Sequence, residues 1–130
     1  MNIPLAKPAS PKGSAPAVLA ADDVIRAKFA IGQVVKHRIY AFRGVIFDVD
    51  PQFNNSEEWW LSIPEGVRPR KDQPYYHLLA ENEETTYVAY VSEQNLLPDE
   101  TGQPVRHPQT SLIFESFDGH DYKLRPRISH

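Results

Sequence analysis

The middle of the chain alternates hydrophobic and polar residues in the way that is typical of short β-strands. In the segment 43–50, Val45, Phe47 and Val49 fall on one face of an extended chain, whereas Ile46 falls on the other. Only about five residues separate this segment from the apolar run before it, a loop length that favours pairing of the two. The alternation therefore predicts an antiparallel hairpin at the start of the domain.

The rest of the domain continues the β pattern, and prolines mark the ends of strands because proline has no backbone N–H to donate to a sheet. The other predicted strands are Phe29–His37, Tyr75–Glu81 and Thr85–Val91, followed by a 3₁₀ turn in Ser92–Leu97. The residues predicted to be buried are Val35, Val45, Phe47, Leu78 and Val88. Gly32-x-Val34 and Gly44-Val45-Ile46 together resemble the opening hairpin of SH3-like barrels. We therefore predict a mainly β fold, a small SH3-like partly open barrel with a long insert, short helical turns and a flexible N-terminal tail.

The segment 51–74 is too long for a plain turn, so we expect an insert with some structure of its own. Asn55 and Glu58 have the spacing of a capping box, which predicts a short helix that carries Trp59 and Trp60. Two adjacent tryptophans on a short helix cannot both face a core, so we expect at least one to be half exposed and to bind a protein partner. The alternative is that both rings lie flat over the barrel and close its open end.

The two ends of the chain are predicted to differ from the barrel. Residues 1–27 are rich in proline and are expected to form a flexible tail, and residues 28–130 form the barrel domain with its C-terminal extension. Within the extension, 109–117 has two interpretations. We favour a short helix, because apolar residues recur four positions apart; the alternative is a strand that pairs with 122–125.

Composition and motifs exclude several classes of protein. The chain has 130 residues, a formal net charge of −3 and no cysteine, which excludes disulfides, thiolate nucleophiles and cysteine-bound zinc. It has neither a Gly-x-Ser-x-Gly motif nor a glycine-rich phosphate loop, so we expect no enzymatic activity and no cofactor. No apolar run reaches the roughly 18–20 residues of a membrane helix, and we expect a cytoplasmic protein without membrane contact.

Four residues of the predicted strands are weak candidates for a metal site, namely His37, Asp48, Asp50 and His77. Imidazole and carboxylate groups are suitable ligands for divalent cations, and neighbouring strands could bring them to one rim of the barrel. The alternative, which we favour, is that the aspartates cap the turn after the strand and the histidines bind backbone carbonyls. We therefore expect no bound metal.

Basic residues in the first hairpin and the insert suggest a surface that binds nucleic acid. The candidates are Arg38, Arg43, Arg68, Arg70 and Lys71. However, the segment 75–100 is acidic and has no lysine or arginine, and binding driven by counterion release needs a surplus of cations that this chain lacks. The alternative is that these residues only keep the surface soluble.

Five stretches of the chain form a longer pattern. They are Phe29-x-Ile31-Gly32-Gln33-x-Val35-x-His37, Gly44-Val45-Ile46-x-Asp48-x-Asp50-Pro51-x-Phe53, Gln73-Pro74-Tyr75-Tyr76-His77-Leu78-Leu79, Tyr87-Val88-Ala89 and Glu93-x-Asn95-Leu96. In order and spacing this pattern resembles the HspQ family, also called YccV-like or hemimethylated-DNA-binding. The resemblance covers roughly Lys28–Leu97, about half of the chain.

The resemblance implies an SH3-like barrel of bacterial heat-shock character. It implies a specificity factor that binds the AAA+ protease Lon and promotes degradation of selected proteins, with recognition of hemimethylated DNA as the alternative. Neither activity is catalysis by the domain itself. The expected partners are Lon and its protein substrates, while hemimethylated DNA and a second copy of the chain stay open.

Overall fold

The computed structural model of this chain describes residues 26–126. Within that range the strands are β1 (Val34–His37), β2 (Arg43–Asp50), β3 (Tyr75–Glu81), β4 (Thr86–Ser92), β5 (Leu96–Pro98), β6 (Phe114–Phe117) and β7 (Tyr122–Leu124). The helices are α1 (Glu57–Leu61) and α2 (Thr110–Ile113), and 3₁₀ turns occur at Glu65–Val67 and Glu93–Asn95. The predicted tail lies outside the described residues except for its last two, of which Ala27 packs against the core.

Five strands form one antiparallel sheet, in the order β4-β3-β2-β1-β5, and β6 pairs separately with β7. The prediction of a mainly β fold is confirmed. Among residues 26–126, however, the edge strands β4 and β5 do not pair with each other, so the hydrogen bonds form an open sheet and no closed barrel. β5 has only three residues and ends at Pro98, which lacks the N–H that further pairing would require.

β2 carries an irregularity that the alternation did not predict. Its register with β3 shifts between Ile46 and Asp48, which leaves Phe47 as the extra residue of a bulge. Val45 and Phe47 contact one core cluster, whereas Val49 packs with Ile46 in the other. The prediction that Val45, Phe47 and Val49 share one face is therefore wrong.

The sheet is covered on both faces, because alternate residues of its central strands enter two different core clusters. The first cluster contains Phe29, Val35, Ile46, Tyr76, Leu78, Ala80, Val91 and Leu96. The second contains Val34, Val45, Leu79, Val105 and Phe114.

The predicted core is confirmed in most positions. Val35, Val45 and Leu78 are fully buried, and Phe47 is half-buried beside the second cluster. Val88 was predicted to be buried but is 56% exposed. The residues on either side of it in β4 face the first cluster, so the alternation of the strand turns Val88 outward.

The C-terminal segment covers the second face of the sheet. α2 leads directly into β6, so both interpretations of 109–117 are partly right: 110–113 is helical and 114–117 is a strand. Phe114 is buried in the second cluster, and Tyr122 of β7 packs against it. This part of the chain, which we predicted to be an extension of the barrel, completes the second core cluster.

The short helix of the insert and the 3₁₀ turn after β4 form close to where the sequence predicted them. α1 is capped by Ser56 and not by Asn55, since the Ser56 hydroxyl accepts a hydrogen bond from Trp59 N at 3.0 Å. The 3₁₀ turn forms within the predicted range, but β5, which follows it, was not predicted. No helix in the described part of the chain is long and apolar enough to cross a membrane.

Gly32 connects the sheet to the C-terminal hairpin, and this contact yields the first prediction. Its φ is +95°, and a Cβ at this position would lie 2.2 Å from the carbonyl oxygen of Tyr122. Gly32→Ala should lower the free energy of unfolding by about 2 kcal/mol or more, because left-handed backbone strain adds to a backbone clash. Urea denaturation measures the change.

Gly66→Ala is the matched control for this substitution. A Cβ at Gly66 meets no atom within 4 Å, and its φ is not positive, so the expected change is below about 0.5 kcal/mol. Equal stability of the two variants would contradict the role assigned to Gly32.

Candidate binding groove

A groove of about 370 Å³ lies between the β1–β2 loop, the insert and β4. Its walls are mainly apolar, and we call it the aromatic groove after six of its lining residues: Tyr40, Phe42, Trp59, Tyr75, Tyr87 and Tyr90. Aromatic rings offer a large apolar contact area and lose little conformational entropy on binding, so a groove of this kind suits an apolar side chain.

An aromatic cluster holds the insert on the sheet. Phe53 stacks on Trp59 with ring centroids 5.9 Å apart and packs edge-on against Tyr75 at 5.3 Å. Trp59 in turn packs edge-on against Tyr90 at 5.4 Å, and Tyr90 stacks on Tyr75 at 5.2 Å. Asn54 N also donates a hydrogen bond to the Tyr90 hydroxyl at 2.9 Å. The position of the groove wall is therefore fixed by packing.

The two tryptophans have different surroundings. Trp59 lines the aromatic groove, whereas Trp60 Nε1 donates to the Pro69 carbonyl at 2.9 Å and its ring is covered by Lys71 at 4.5 Å and Arg68 at 5.0 Å. Both side chains are mostly buried, so the expectation that at least one tryptophan is half exposed is wrong. The reason is that the insert folds its own basic residues over Trp60. A role of either ring in binding a partner stays a prediction.

The basic residues of the insert make contacts within it. The Arg68 guanidinium donates to the carbonyls of Leu61 and Ile63, at 3.1 and 2.9 Å, and so satisfies acceptors at the C-terminal end of α1. Lys71 pairs with Glu57, and Arg70 pairs with Asp72 at 2.9 Å. These contacts leave Lys71 and Arg70 partly exposed, at 41% of the side chain each.

The rim of the groove is formed by Ile39 and Tyr40, each 51% exposed. His37 Nδ1 accepts hydrogen bonds from the backbone N–H of both residues at 2.9 Å. Burial lowers the pKa of His37, and the nearby charge of Arg38 lowers it further. Nδ1 can accept these two hydrogen bonds only when it carries no proton, so the lowered pKa of His37 favours the observed conformation of the β1–β2 loop.

The floor of the groove contains polar groups. Ser92 is buried, and its hydroxyl has no hydrogen-bond partner among the residues that the structure describes. Tyr75 and Tyr90 donate their hydroxyls to Arg70 O at 2.7 Å and Asp50 Oδ2 at 2.8 Å. Burial raises the pKa of both phenols, so they remain donors at neutral pH.

Three of the four candidate metal ligands come together. One ligand atom each of Asp48, Asp50 and His77 lies within 4.8 Å of the others, whereas His37 is not part of this group. His77 Nε2 lies 3.0 Å from Asp50 Oδ2, the oxygen that also accepts from Tyr90. The group offers the ligand types of a divalent-cation site. Asp50 and His77 are also hydrogen-bonded to each other, whereas Asp48 Oδ1 accepts from the backbone N–H of Val49 at 2.8 Å.

Arg43, a candidate for binding nucleic acid, lies within an ionic network. Its guanidinium contacts Glu81 at 2.5 Å and Asp99 at 2.9 Å, and also donates to the Gln103 and Pro104 carbonyls. The carboxylates are nearly buried, with side-chain exposures of 6% and 4%. Arg43 therefore joins the end of β3 to the segment after β5.

The five basic candidates do not form one continuous surface. Arg38 and Arg68 line a depression of about 300 Å³ that shares lining residues with the aromatic groove, and we call it the arginine depression. Arg43 lines a different cavity, of about 440 Å³, which shares His37, Tyr40 and Phe42 with the aromatic groove but not Arg38 or Arg68.

Sequence reasoning missed the rim of the groove. Ile39 and Tyr40 occupy a hairpin loop, a place where polar turn residues are usual, so their apolar character was an available signal. The unpaired hydroxyl of Ser92 had no such signal, because a serine before a 3₁₀ turn is typical of a capping residue, and this one makes no capping hydrogen bond through its side chain.

The sheet, the insert and the preformed groove define a small β-sheet domain with a candidate binding site. Comparison with family models matches residues 27–121 to the family described as Hemimethylated DNA-binding protein YccV like. The chain belongs to this YccV-like family. The match extends through β6, so it includes most of the C-terminal segment that completes the core.

Similar regions occur in much longer proteins. F-box only protein 21 of Mus musculus is 31% identical over 99 residues, and that of Homo sapiens is 30% identical over the same length. Each alignment covers 72% of this chain and 15% of the relative. The chain thus spans about a seventh of the length of these curated relatives.

The ionic network of Arg43 predicts a dependence of stability on pH. Burial acts to raise the pKa of Asp99, but hydrogen bonds from Arg43 and Thr101 outweigh it and leave the pKa below its usual value. A lowered pKa in the folded state stabilises the fold above about pH 4, and this stabilisation is lost as the pH falls through the folded-state value. Asp99→Asn should therefore flatten the acid-side loss of unfolding free energy, measured by denaturation at a series of pH values.

Arg43→Ala removes the cation that joins two nearly buried carboxylates; Glu81 keeps its pair with Arg106, but Asp99 keeps only hydrogen bonds from Thr101, so the substitution should cost about 3 kcal/mol at neutral pH. The control is Asp72→Asn, which removes an exposed ion pair and should cost less than about 1 kcal/mol. Equal costs at neutral pH, or an Asp99→Asn variant as acid-sensitive as the unmodified chain, would contradict this account of the network.

Proposed function

We propose that this chain is a non-enzymatic adaptor that binds the AAA+ protease Lon and promotes degradation of selected proteins. Membership of the YccV-like family supports the proposal, because the HspQ-type pattern is associated with Lon-linked proteolysis. In this proposal the open sheet is an SH3-like scaffold that presents a binding surface and requires no cofactor.

The aromatic groove is the observation that carries the proposal. It is preformed, since an aromatic cluster fixes its wall, and its rim residues Ile39 and Tyr40 are half exposed. Exposed apolar and aromatic side chains beside a groove are what a protein partner buries at the centre of an interface. The surface has this character without any contribution from the basic residues.

Binding of hemimethylated DNA is the second candidate, and the description of the family favours it. Arg70 and Lys71 are partly exposed and lie on the insert. Each already has a carboxylate partner, as has Arg43, and the net charge of the chain is −3. Attraction to phosphate is therefore expected to be weak.

The adaptor proposal predicts that Tyr40→Ser weakens the effect of the chain on Lon while the fold persists. Truncation of a central interface aromatic typically costs about 2 kcal/mol, or roughly thirtyfold in affinity. The measurement is the rate at which purified Lon degrades a responsive substrate as the chain is titrated in. The Trp59→Ala, Trp60→Ala double variant should also lose the effect, but it unpacks the insert and is expected to melt at a lower temperature.

Val88→Ser is the control, because Val88 is exposed to a similar degree and does not line the groove. It should act like the unmodified chain. If Tyr40→Ser is as active as Val88→Ser, the groove is not the contact surface. If the unmodified chain leaves the degradation of every substrate unchanged, the adaptor proposal is wrong.

For DNA, we predict weak binding that falls steeply with salt, because few phosphates can be neutralised. Arg70→Gln with Lys71→Gln should weaken it on every duplex tested, whether methylated, hemimethylated or unmodified. Fluorescence anisotropy over a range of salt concentrations measures both effects. Tight, methylation-selective binding that persists at physiological salt in the double variant would favour DNA as the principal ligand and a different surface for it.

A further inference from the structure

The arginine depression adjoins the aromatic groove. Ile39, Val67 and Asn95 line both cavities, so an apolar surface continues directly into a site that holds two guanidinium groups. The two cavities together offer adjoining sites for an apolar group and for an anion of the same ligand.

Arg38 and Arg68 differ from the other arginines near the groove. Arg43, Arg70 and Arg106 each pair with a carboxylate, whereas neither Arg38 nor Arg68 does so among residues 26–126. Their hydrogen bonds go to neutral acceptors, so their charges are not neutralised by this part of the chain.

Both guanidinium groups are held in place. Arg38 donates through Nε to Gln94 O at 3.1 Å and through Nη2 to Asn95 Oδ1 at 3.2 Å. Arg68 donates through Nε and Nη2 to Ile63 O, and its guanidinium lies 5.0 Å from the centre of the Trp60 ring. No intramolecular hydrogen bond from Nη1 of either residue is found in the described range, so a donor of each is free for a ligand.

We propose that these two cavities bind the carboxyl-terminal residue of a protein partner, with its apolar side chain in the aromatic groove and its carboxylate at Arg38 and Arg68. A terminal residue carries an apolar side chain and a carboxylate on the same Cα, which matches an apolar groove that adjoins a cationic site. Guanidinium groups suit carboxylates because their hydrogen bonds to an ionised acceptor are charge-assisted, and Nη1 of each arginine is available to donate one. The buried hydroxyl of Ser92 gives the groove floor a polar group for the peptide backbone.

This inference rests on the proposed function, since it names what the adaptor surface recognises. The test uses the full chain and a fluorescein-labelled hexapeptide of sequence Gly-Ser-Gly-Ser-Ala-Leu with a free carboxyl terminus. Fluorescence anisotropy compares it with the same peptide as the C-terminal amide, and with the free acid that ends in serine. The free acid ending in leucine should bind at least about tenfold more tightly than either of the others.

Arg38→Gln should reduce the affinity of the free acid to that of the amide and leave the amide unchanged. Arg125→Gln is the matched control, because Arg125 is exposed, donates to a backbone carbonyl at 2.7 Å and has no carboxylate partner in the described range. It should bind like the unmodified chain. Circular dichroism melts test whether the variants are folded. If Arg38→Gln does not fold, the comparison of the acid with the amide on the unmodified chain still decides the question.

Equal binding of acid and amide overturns the proposal, and so does the absence of binding. A hemimethylated duplex that binds through Arg38 when neither peptide binds also overturns it and assigns the two arginines to phosphate. The assay contains no protease, so its outcome is separate from that of the adaptor proposal. If the chain does not distinguish acid from amide but still changes the rate of degradation by Lon, only this inference is wrong. If it binds the acid but changes no degradation rate, only the adaptor proposal is wrong.

Discussion

The packing of Phe53 and Trp59 against Tyr75 and Tyr90 is the interaction on which the rest of the site depends. Tyr75 begins β3 and Tyr90 lies in β4, so the cluster fixes the insert to two strands of the sheet at once. One wall of the aromatic groove belongs to the insert and the opposite wall to the β1–β2 loop. If the cluster were lost, the insert would no longer form a wall and the groove would become an open sheet edge.

The same packing determines what the basic residues do. Once the insert is folded, Lys71 and Arg68 lie over the Trp60 ring, and Arg68 satisfies carbonyls at the C-terminal end of α1. Cations used in this way stabilise the insert by contacts with an aromatic face and with backbone acceptors. The basic residues of the insert therefore mainly make contacts within it. The resulting groove is apolar, and Arg38 and Arg68 lie beside it in the arginine depression.

The sequence pattern predicted the bounds of β2, β3 and β4 to within a residue, because these strands are rich in apolar, aromatic and β-branched residues between turn signals. Alternation of apolar and polar residues failed after Phe47, where a bulge exchanges the two faces of β2, and it missed β5, which is too short to show a period. Capping signals found α1 to within one residue. The predictions failed where the decisive contact is distant in sequence.

The candidate site could be predicted only in part for the same reason. Trp59, Arg38 and Arg68 were selected from the sequence, but their convergence around a groove depends on the tertiary fold. Arg43 looked like a free cation, yet its partners Glu81 and Asp99 lie 38 and 56 residues further along the chain. The family pattern ended near Leu97 in the sequence, whereas residues up to Phe117 and Tyr122 complete the second core cluster.

The central claim is that the aromatic groove is the surface through which this chain contacts Lon. Hydrogen exchange of the chain, followed by mass spectrometry with and without purified Lon, tests it most directly because it locates the contact without any substitution. The account predicts slower exchange in the β1–β2 loop, in α1 and in β4, with no change in β6 and β7. Protection confined to β6 and β7, or no protection at a Lon concentration that changes degradation rates, would contradict it.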